Sequence, residues 1–157
     1  MSVHEAIEDF AAALAPRRGI AGLDLGTKTI GVAISDRLLS VATPVDTIRR
    51  TKFTEDAAAL LKLAEGREVA GFILGLPRNM DGSEGPRCQS VRQFAANLLA
   101  LRDLPLAFQD ERLSTAAVTR TLLEADASRK RRAEVVDKMA AAYILQGALD
   151  AMARRAL

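Results

Sequence analysis

Apolar and polar positions along this chain repeat with two different periods. Residues 20–25 and 30–35 are nearly continuous apolar runs, and Gly26-Thr27-Lys28-Thr29 between them supplies the residues a tight turn needs, so the pattern predicts a hairpin. A third strand is predicted over Ser40–Ile48, where Pro44 removes a backbone donor and points to a sheet edge. Val69–Leu74 is a short unbroken apolar run, as expected of a central strand covered on both faces, and Pro105–Phe108 reads as another short strand.

Helical spacing appears between these runs. Val3, Ile7, Phe10, Ala11 and Leu14 share one face of a short helix that ends at Pro16-Arg17-Arg18-Gly19. Thr54 is placed to cap a second helix through Leu63, with Gly66 at its end. After the turn-rich segment 75-GLPRNMDGSEGPR-87, a third helix carries Val91, Phe94, Ala95, Leu98 and Leu101. Ser114 is placed to cap a fourth with Val118, Leu122 and Leu123, and after a basic loop a last helix is predicted from Ala133 to Ala153. Beyond the N-terminal helix the order is β-β-β-α-β-α-β-α-α. A three-strand meander followed by βαβ crossovers makes a mixed five-stranded α/β sheet with helices on both faces.

Length and composition narrow this picture. At 157 residues, with 49% hydrophobic and 27% charged residues, the chain reads as one globular domain over 19–157. Residues 1–18 form an N-terminal extension, a short helix or a disordered arm. No apolar run approaches the roughly 18 residues of a membrane span, and the acidic N-terminus lacks the basic start of a signal peptide, so a cytoplasmic protein with no membrane partner is expected. Cys88 is the only cysteine and His4 the only histidine, which excludes an intramolecular disulfide and argues against a Cys-rich zinc site, a His-based metal site or a Ser-His-Asp triad. Any bound metal would be held by oxygen, which points to Mg²⁺ or Mn²⁺. Net charge is only +2, but Arg129, Lys130, Arg131 and Arg132 stand side by side. That cluster is either a solvated surface or a nucleic-acid contact.

Three acids stand out by position. Asp24 interrupts a strand that is otherwise apolar, Glu111 follows the last strand at the end where open α/β sheets build their sites, and Asp137 shares a helical face with Ala141, Ile144 and Leu145. If they converge, three carboxylates can hold one or two divalent cations whose charge offsets their repulsion, the arrangement that supports phosphodiester hydrolysis. Each acid also has an ordinary alternative. Asp24 could shape the turn at Gly26, Asp137 could stabilise its own helix N-terminus, and Glu111 could pair with Arg112 or Lys138.

The segments GLDLGTKTIGVAISD, LGLPRNMDGSEGPR, FQDERLST and SRKRRAEVVDKMAAAYILQGALD, in that order, resemble the signature blocks of the YqgF/RuvX family. The resemblance runs from Gly19 to Asp150. It implies an RNase H-like fold and a role described for the family as pre-16S rRNA nuclease, with kinship to the RuvC Holliday-junction resolvases. By this resemblance Asp24, Glu111 and Asp137 are the catalytic acids and the ligands of Mg²⁺ or Mn²⁺, and Lys28 lies near the scissile phosphate. Arg112 and residues 129–132 are further candidates for backbone contacts to nucleic acid. Asn79, Asp81 and Gly82 belong to a family loop and are candidates for the rim of the site, although the same residues make a good turn.

Two other classes compete. The first strand and hairpin also resemble the phosphate loop of actin-like ATPases, but those proteins need two such domains and this chain has room for one. A non-catalytic RNA-binding assembly factor would have little use for three acids that repel a phosphate backbone. With five Phe, one Tyr and no Trp, recognition by shape and phosphate is expected in preference to base stacking. Within the nuclease reading, pre-rRNA and a four-way DNA junction both remain as substrates, and no residue assigns an oligomeric state.

Overall fold

The hairpin forms where the apolar runs predict it. In the computed structural model, which describes residues 3–111 and 129–155 (129–137 by their backbone alone), β2 (Ala21–Leu25) and β3 (Thr29–Ser35) pair antiparallel. Gly26 N–H donates to the Thr29 carbonyl at 2.9 Å to close the turn. Strand β4 (Ala42–Arg49) continues the meander and forms one edge of the sheet, with an irregularity in pairing between Val32 and Ala33 opposite Pro44. A proline has no ladder hydrogen to give, and an edge strand tolerates that loss.

Parallel strands fill the other side. Helix α2 (Phe53–Gly66) leads into β5 (Phe72–Leu76), which pairs with β2, and α3 (Pro86–Leu101) leads into β6 (Leu106–Asp110), which pairs with β5. The N-terminus adds β1 (Val3–His4), parallel to β6, followed by α1 (Ile7–Ala13). The sheet order is β1-β6-β5-β2-β3-β4. Six strands therefore replace the expected five, because Val3 pairs at the sheet edge instead of starting the helix.

Other boundaries shift for identifiable reasons. Residues 69–71 are buried but bond elsewhere: Val69 N–H reaches back to Ala64 and Ala70 N–H to Gly19, so β5 starts only at Phe72. Helix α2 begins before Thr54, with Lys52 at its N-cap; Asp56 instead reaches back to accept hydrogen bonds from the Thr51 N–H and hydroxyl. The final helix, α4, runs Arg129–Arg155. The expected basic loop is thus its first turn, since Arg and Lys are good helix formers and nothing between 129 and 133 breaks a helix. The helix expected after Ser114 falls outside the described residues.

Side chains alternate along each strand, so the sheet separates two cores. Leu23, Leu25, Val32, Phe72 and Leu74 face α2 and α3. Ile20, Ala33, Ile73 and Ala107 face α1 and α4, meeting Phe10, Ala141, Ile144, Leu145 and Leu149. Helix α4 can press this close because Gly22 offers it no side chain. A Cβ there would stand 2.6 Å from the Leu145 Cβ and 3.0 Å from the Ala141 carbonyl oxygen. Among the described residues no helix is long and apolar enough to cross a membrane.

Gly22→Ala therefore tests the packing of α4. The added methyl meets a backbone carbonyl and a Cβ that cannot swing away, so urea unfolding should show a loss of about 1–3 kcal/mol. Stability equal to the parent would mean that α4 sits farther from β2 than described.

Candidate active site

Two of the three acids, Asp24 in β2 and Glu111 at the end of β6, lie on one face of the sheet on either side of β5. Gly22 and Asp24 are two residues apart in β2 and point the same way, toward α4. Asp24 is only 3% exposed. Its antiparallel partner is Gly31 in β3. On the other side, the last printed pair between β2 and β5 is Leu23 with Leu74, so one step further Asp24 stands beside Gly75. Asp24 is thus flanked by a glycine on each neighbouring strand, and the sheet surface around it is bare of side chains.

Glu111 occupies part of that cleared space. Its N–H donates to the Leu76 carbonyl at 3.3 Å, which extends the β6 ladder by one residue and fixes where the side chain leaves the backbone. The carboxylate then folds over β5. A Cβ at Gly75 would come within 2.9 Å of Glu111 Oε2 and 2.6 Å of Ile144 Cδ1. Adjacent strands lie about 4.8 Å apart, so the Glu111 carboxylate rests on the strand next to that of Asp24, on the same face. Glu111 is 8% exposed.

The backbone of α4 brings position 137 to the same level. Ala141 and Leu145 sit over Gly22, while Gln146, further along, accepts a hydrogen bond from Ala42 N–H at the opposite end of the sheet. The helix therefore runs antiparallel to β2. From Ala141 back to 137 is about 6 Å along the helix axis, and from Gly22 to Asp24 is about 6.6 Å along the strand, in the same direction. Arg129, Lys130, Arg131 and Arg132 belong to the first turn of α4, at the acid end of the sheet.

The other predicted residues are distributed around this end. Lys28 is exposed in the hairpin turn, which is braced from β4's end: Arg50 N–H donates to the Lys28 carbonyl at 2.8 Å and Arg50 Nη1 to the Gly26 carbonyl at 2.7 Å. Asn79, Asp81 and Gly82 lie in the loop that follows β5. They form a closed turn in which Asp81 Oδ1 accepts from the Ser83 N–H and hydroxyl, Gly82 N–H donates to the Asn79 carbonyl, and Gly82 takes φ 89°. Glu84, at the base of this loop, is held below the usual carboxylate range by its hydrogen bonds from Arg92. Arg78 reaches from the loop toward Asp110, Nη1 to Oδ2 3.7 Å, on the face of β6 away from Glu111. Arg112 lies outside the described residues.

Neither flanking glycine is marked out by the apolar-polar sequence pattern, in which Gly31 falls inside a strand and Gly75 at the start of a loop. Their signal was available: a glycine within a strand marks a place where something approaches the backbone closely. Asp24 and Glu111 offer only oxygen donors in a poorly hydrated gap. Such a pair suits a hard divalent cation, which offsets the repulsion of two close like charges.

Gly75→Ala should force Glu111 and Ile144 aside and cost about 1–2 kcal/mol in urea unfolding. Adding Glu111→Ala should recover part of that loss, because the two positions compete for one space. Strictly additive single and double variants would contradict the contact.

Known proteins resemble this chain at both levels. Residues 18–151 match the RuvX family, described as "Holliday junction resolvase". A protein of Ruegeria sp. (strain TM1040), named "Putative pre-16S rRNA nuclease", is 65% identical over 150 residues, spanning 96% of each chain. One of Paramagnetospirillum magneticum with the same name is 69% identical over 139 residues, covering 88% of this chain and 90% of its own. Among solved structures, Thermus thermophilus RuvC superposes with a TM-score of 0.53 at 10% identity, over 87% of this chain and 97% of that one, a likeness of fold. With the family match spanning most of its length and close relatives aligned nearly end to end, the chain belongs to the RuvX family.

Proposed function

We propose that this protein is a divalent-cation-dependent nuclease that hydrolyses phosphodiester bonds, acting in the 5′-end maturation of pre-16S rRNA. The observation that carries the reading is the pair of buried carboxylates, Asp24 and Glu111, facing one way in a gap cleared by Gly31 and Gly75. The names of the close relatives support the substrate.

In this reading Asp24, Glu111 and Asp137 hold Mg²⁺ or Mn²⁺. When bound, such a cation neutralises the acids, polarises a phosphoryl oxygen and makes a water reactive at neutral pH. The chain's own contribution is position. Strand β2 fixes Asp24, the extended β6 ladder fixes Glu111, and α4 carries Asp137 one turn beyond its contact with Gly22. Burial keeps bulk water away from the acids, which strengthens their hold on a cation. Lys28, on a hairpin braced by Arg50, meets the scissile phosphate, while Arg112 and Arg129–Arg132 contact flanking phosphates.

The family description favours a second reading, resolution of four-way DNA junctions. One experiment separates the two. A labelled RNA spanning the 16S 5′ leader and a mobile DNA junction are incubated in parallel with Mn²⁺, with Mg²⁺ and with chelator. The expected result is metal-dependent cutting of the RNA, reduced roughly a hundredfold or more by Asp24→Asn with the fold intact. Symmetric cutting of the junction alone would move the assignment to a resolvase. Asp24→Asn protein that cuts as well as the parent would show the site to be wrong, and metal-independent RNA binding without any cutting would favour an assembly factor.

A further inference from the structure

A second feature of the hairpin lies on the opposite face of the sheet from the acids. A cleft of about 450 Å3 opens between the Gly26–Thr27 turn, the segment after β4 and the first turns of α3. Leu25, the residue after Asp24, points to this side and forms part of the wall. The buried side chains of Val91 and Phe94 line the apolar part, and Arg50 and Arg87 are the cationic part. Among the described residues no carboxylate lines it.

The cleft is built and not a gap between mobile side chains. Arg50 is pinned by its Nη1 hydrogen bond to Gly26, and its guanidinium carbon lies 5.8 Å from the centre of the Phe94 ring. Phe94 is in turn held edge-on by Phe53, with ring centres 5.3 Å apart. Arg37, Arg78 and Arg92 are each paired with a carboxylate, whereas among the described residues neither Arg50 nor Arg87 forms an ion pair. The groove between β4 and α2, by contrast, mixes Asp46 with Lys62 and Arg67.

Two guanidinium groups above an apolar, partly aromatic wall match the chemistry of a nucleotide, with a phosphate for the arginines and a base for the wall. The volume is in the range that holds a small ligand. We propose that this cleft receives one nucleotide of the substrate strand next to the scissile phosphate. The strand crosses the hairpin with the reacting phosphate on the acid side and the neighbouring nucleotide seated against Phe94. The cleft requires that nucleotide to be unpaired, so the enzyme selects single-stranded or locally opened substrate. This inference rests on the nuclease reading, which supplies the strand.

The test uses Asp24→Asn protein, so that cleavage does not consume the probe, and the anisotropy of a labelled single-stranded oligoribonucleotide across a salt series. Arg87→Ala removes a cation and Ser90→Trp fills the cleft, both at exposed positions on α3. Arg67→Ala, in the groove between β4 and α2, controls for net charge. Each cleft variant should weaken binding about five- to tenfold, with Arg87→Ala lowering the salt slope by about one and Arg67→Ala changing affinity less than about twofold. Cleft variants no weaker than Arg67→Ala would overturn the proposal. So would an equal loss with a blunt RNA duplex, whose stacked bases cannot enter. Cleavage by the Asp24→Asn protein would refute the acid site separately, because the binding measurement does not depend on turnover.

Discussion

The fold is organised around a costly placement, two carboxylates set side by side where little water reaches them. A lone ionised group loses several kcal/mol on burial, and a second like charge nearby adds repulsion. Asp24 of β2 and Glu111 at the end of β6 lie on the same face of the sheet, with the Glu111 side chain folded over the intervening β5, and they are only 3% and 8% exposed. Much of the surrounding architecture serves that placement. Gly31 and Gly75 clear the sheet on either side, the Glu111 N–H extends a ladder to hold its side chain, and Gly22 lets α4 lie close enough to cover the region. In the proposed reading a divalent cation shared by the acids would give the arrangement a physical purpose, since it would turn repulsion into a binding site.

The same hairpin links this site to the opposite face. Asp24 and Leu25 are neighbours in the chain but point into different halves of the molecule, one toward α4 and the other toward α2 and α3. Arg50 braces the turn between them and stands at the mouth of the arginine-lined cleft. In the proposed reading a substrate strand lying over the turn would be read on both sides by residues whose spacing is fixed by the β2–β3 register. Positioning at the reacting phosphate and selection of an unpaired neighbour would then come from one rigid element, which suits a chain scarce in aromatic side chains.

Much of this was legible in the sequence, and the failures have physical causes. The hairpin, the buried central strand, the edge position of β4, and the placement of Asp24 inside a strand and of Glu111 just past one follow from period, turn chemistry and a charge out of place. Strand β1 did not, because two residues carry no period and Val3 fits a helical face equally well. Charge density at 129–132 suggests a solvated loop, but helix propensity, which favours Arg and Lys, places the cluster in α4. Glycine normally marks turns, yet Gly75 serves an approach by Glu111 from a strand that sequence alone could not put alongside. The cleft lined by Arg50 and Arg87 joins residues from three separate segments, and no local pattern announces it.

In the proposed reading a shared divalent cation, in addition to contacts within the chain, makes the buried acids tolerable. Thermal unfolding of the parent and of Asp24→Asn, each with chelator and with Mn²⁺, tests it without any substrate. Mn²⁺ should raise the parent's melting temperature, while Asp24→Asn should gain little from the metal. An equal rise in both proteins would contradict a cation held by Asp24 and leave it as a structural acid.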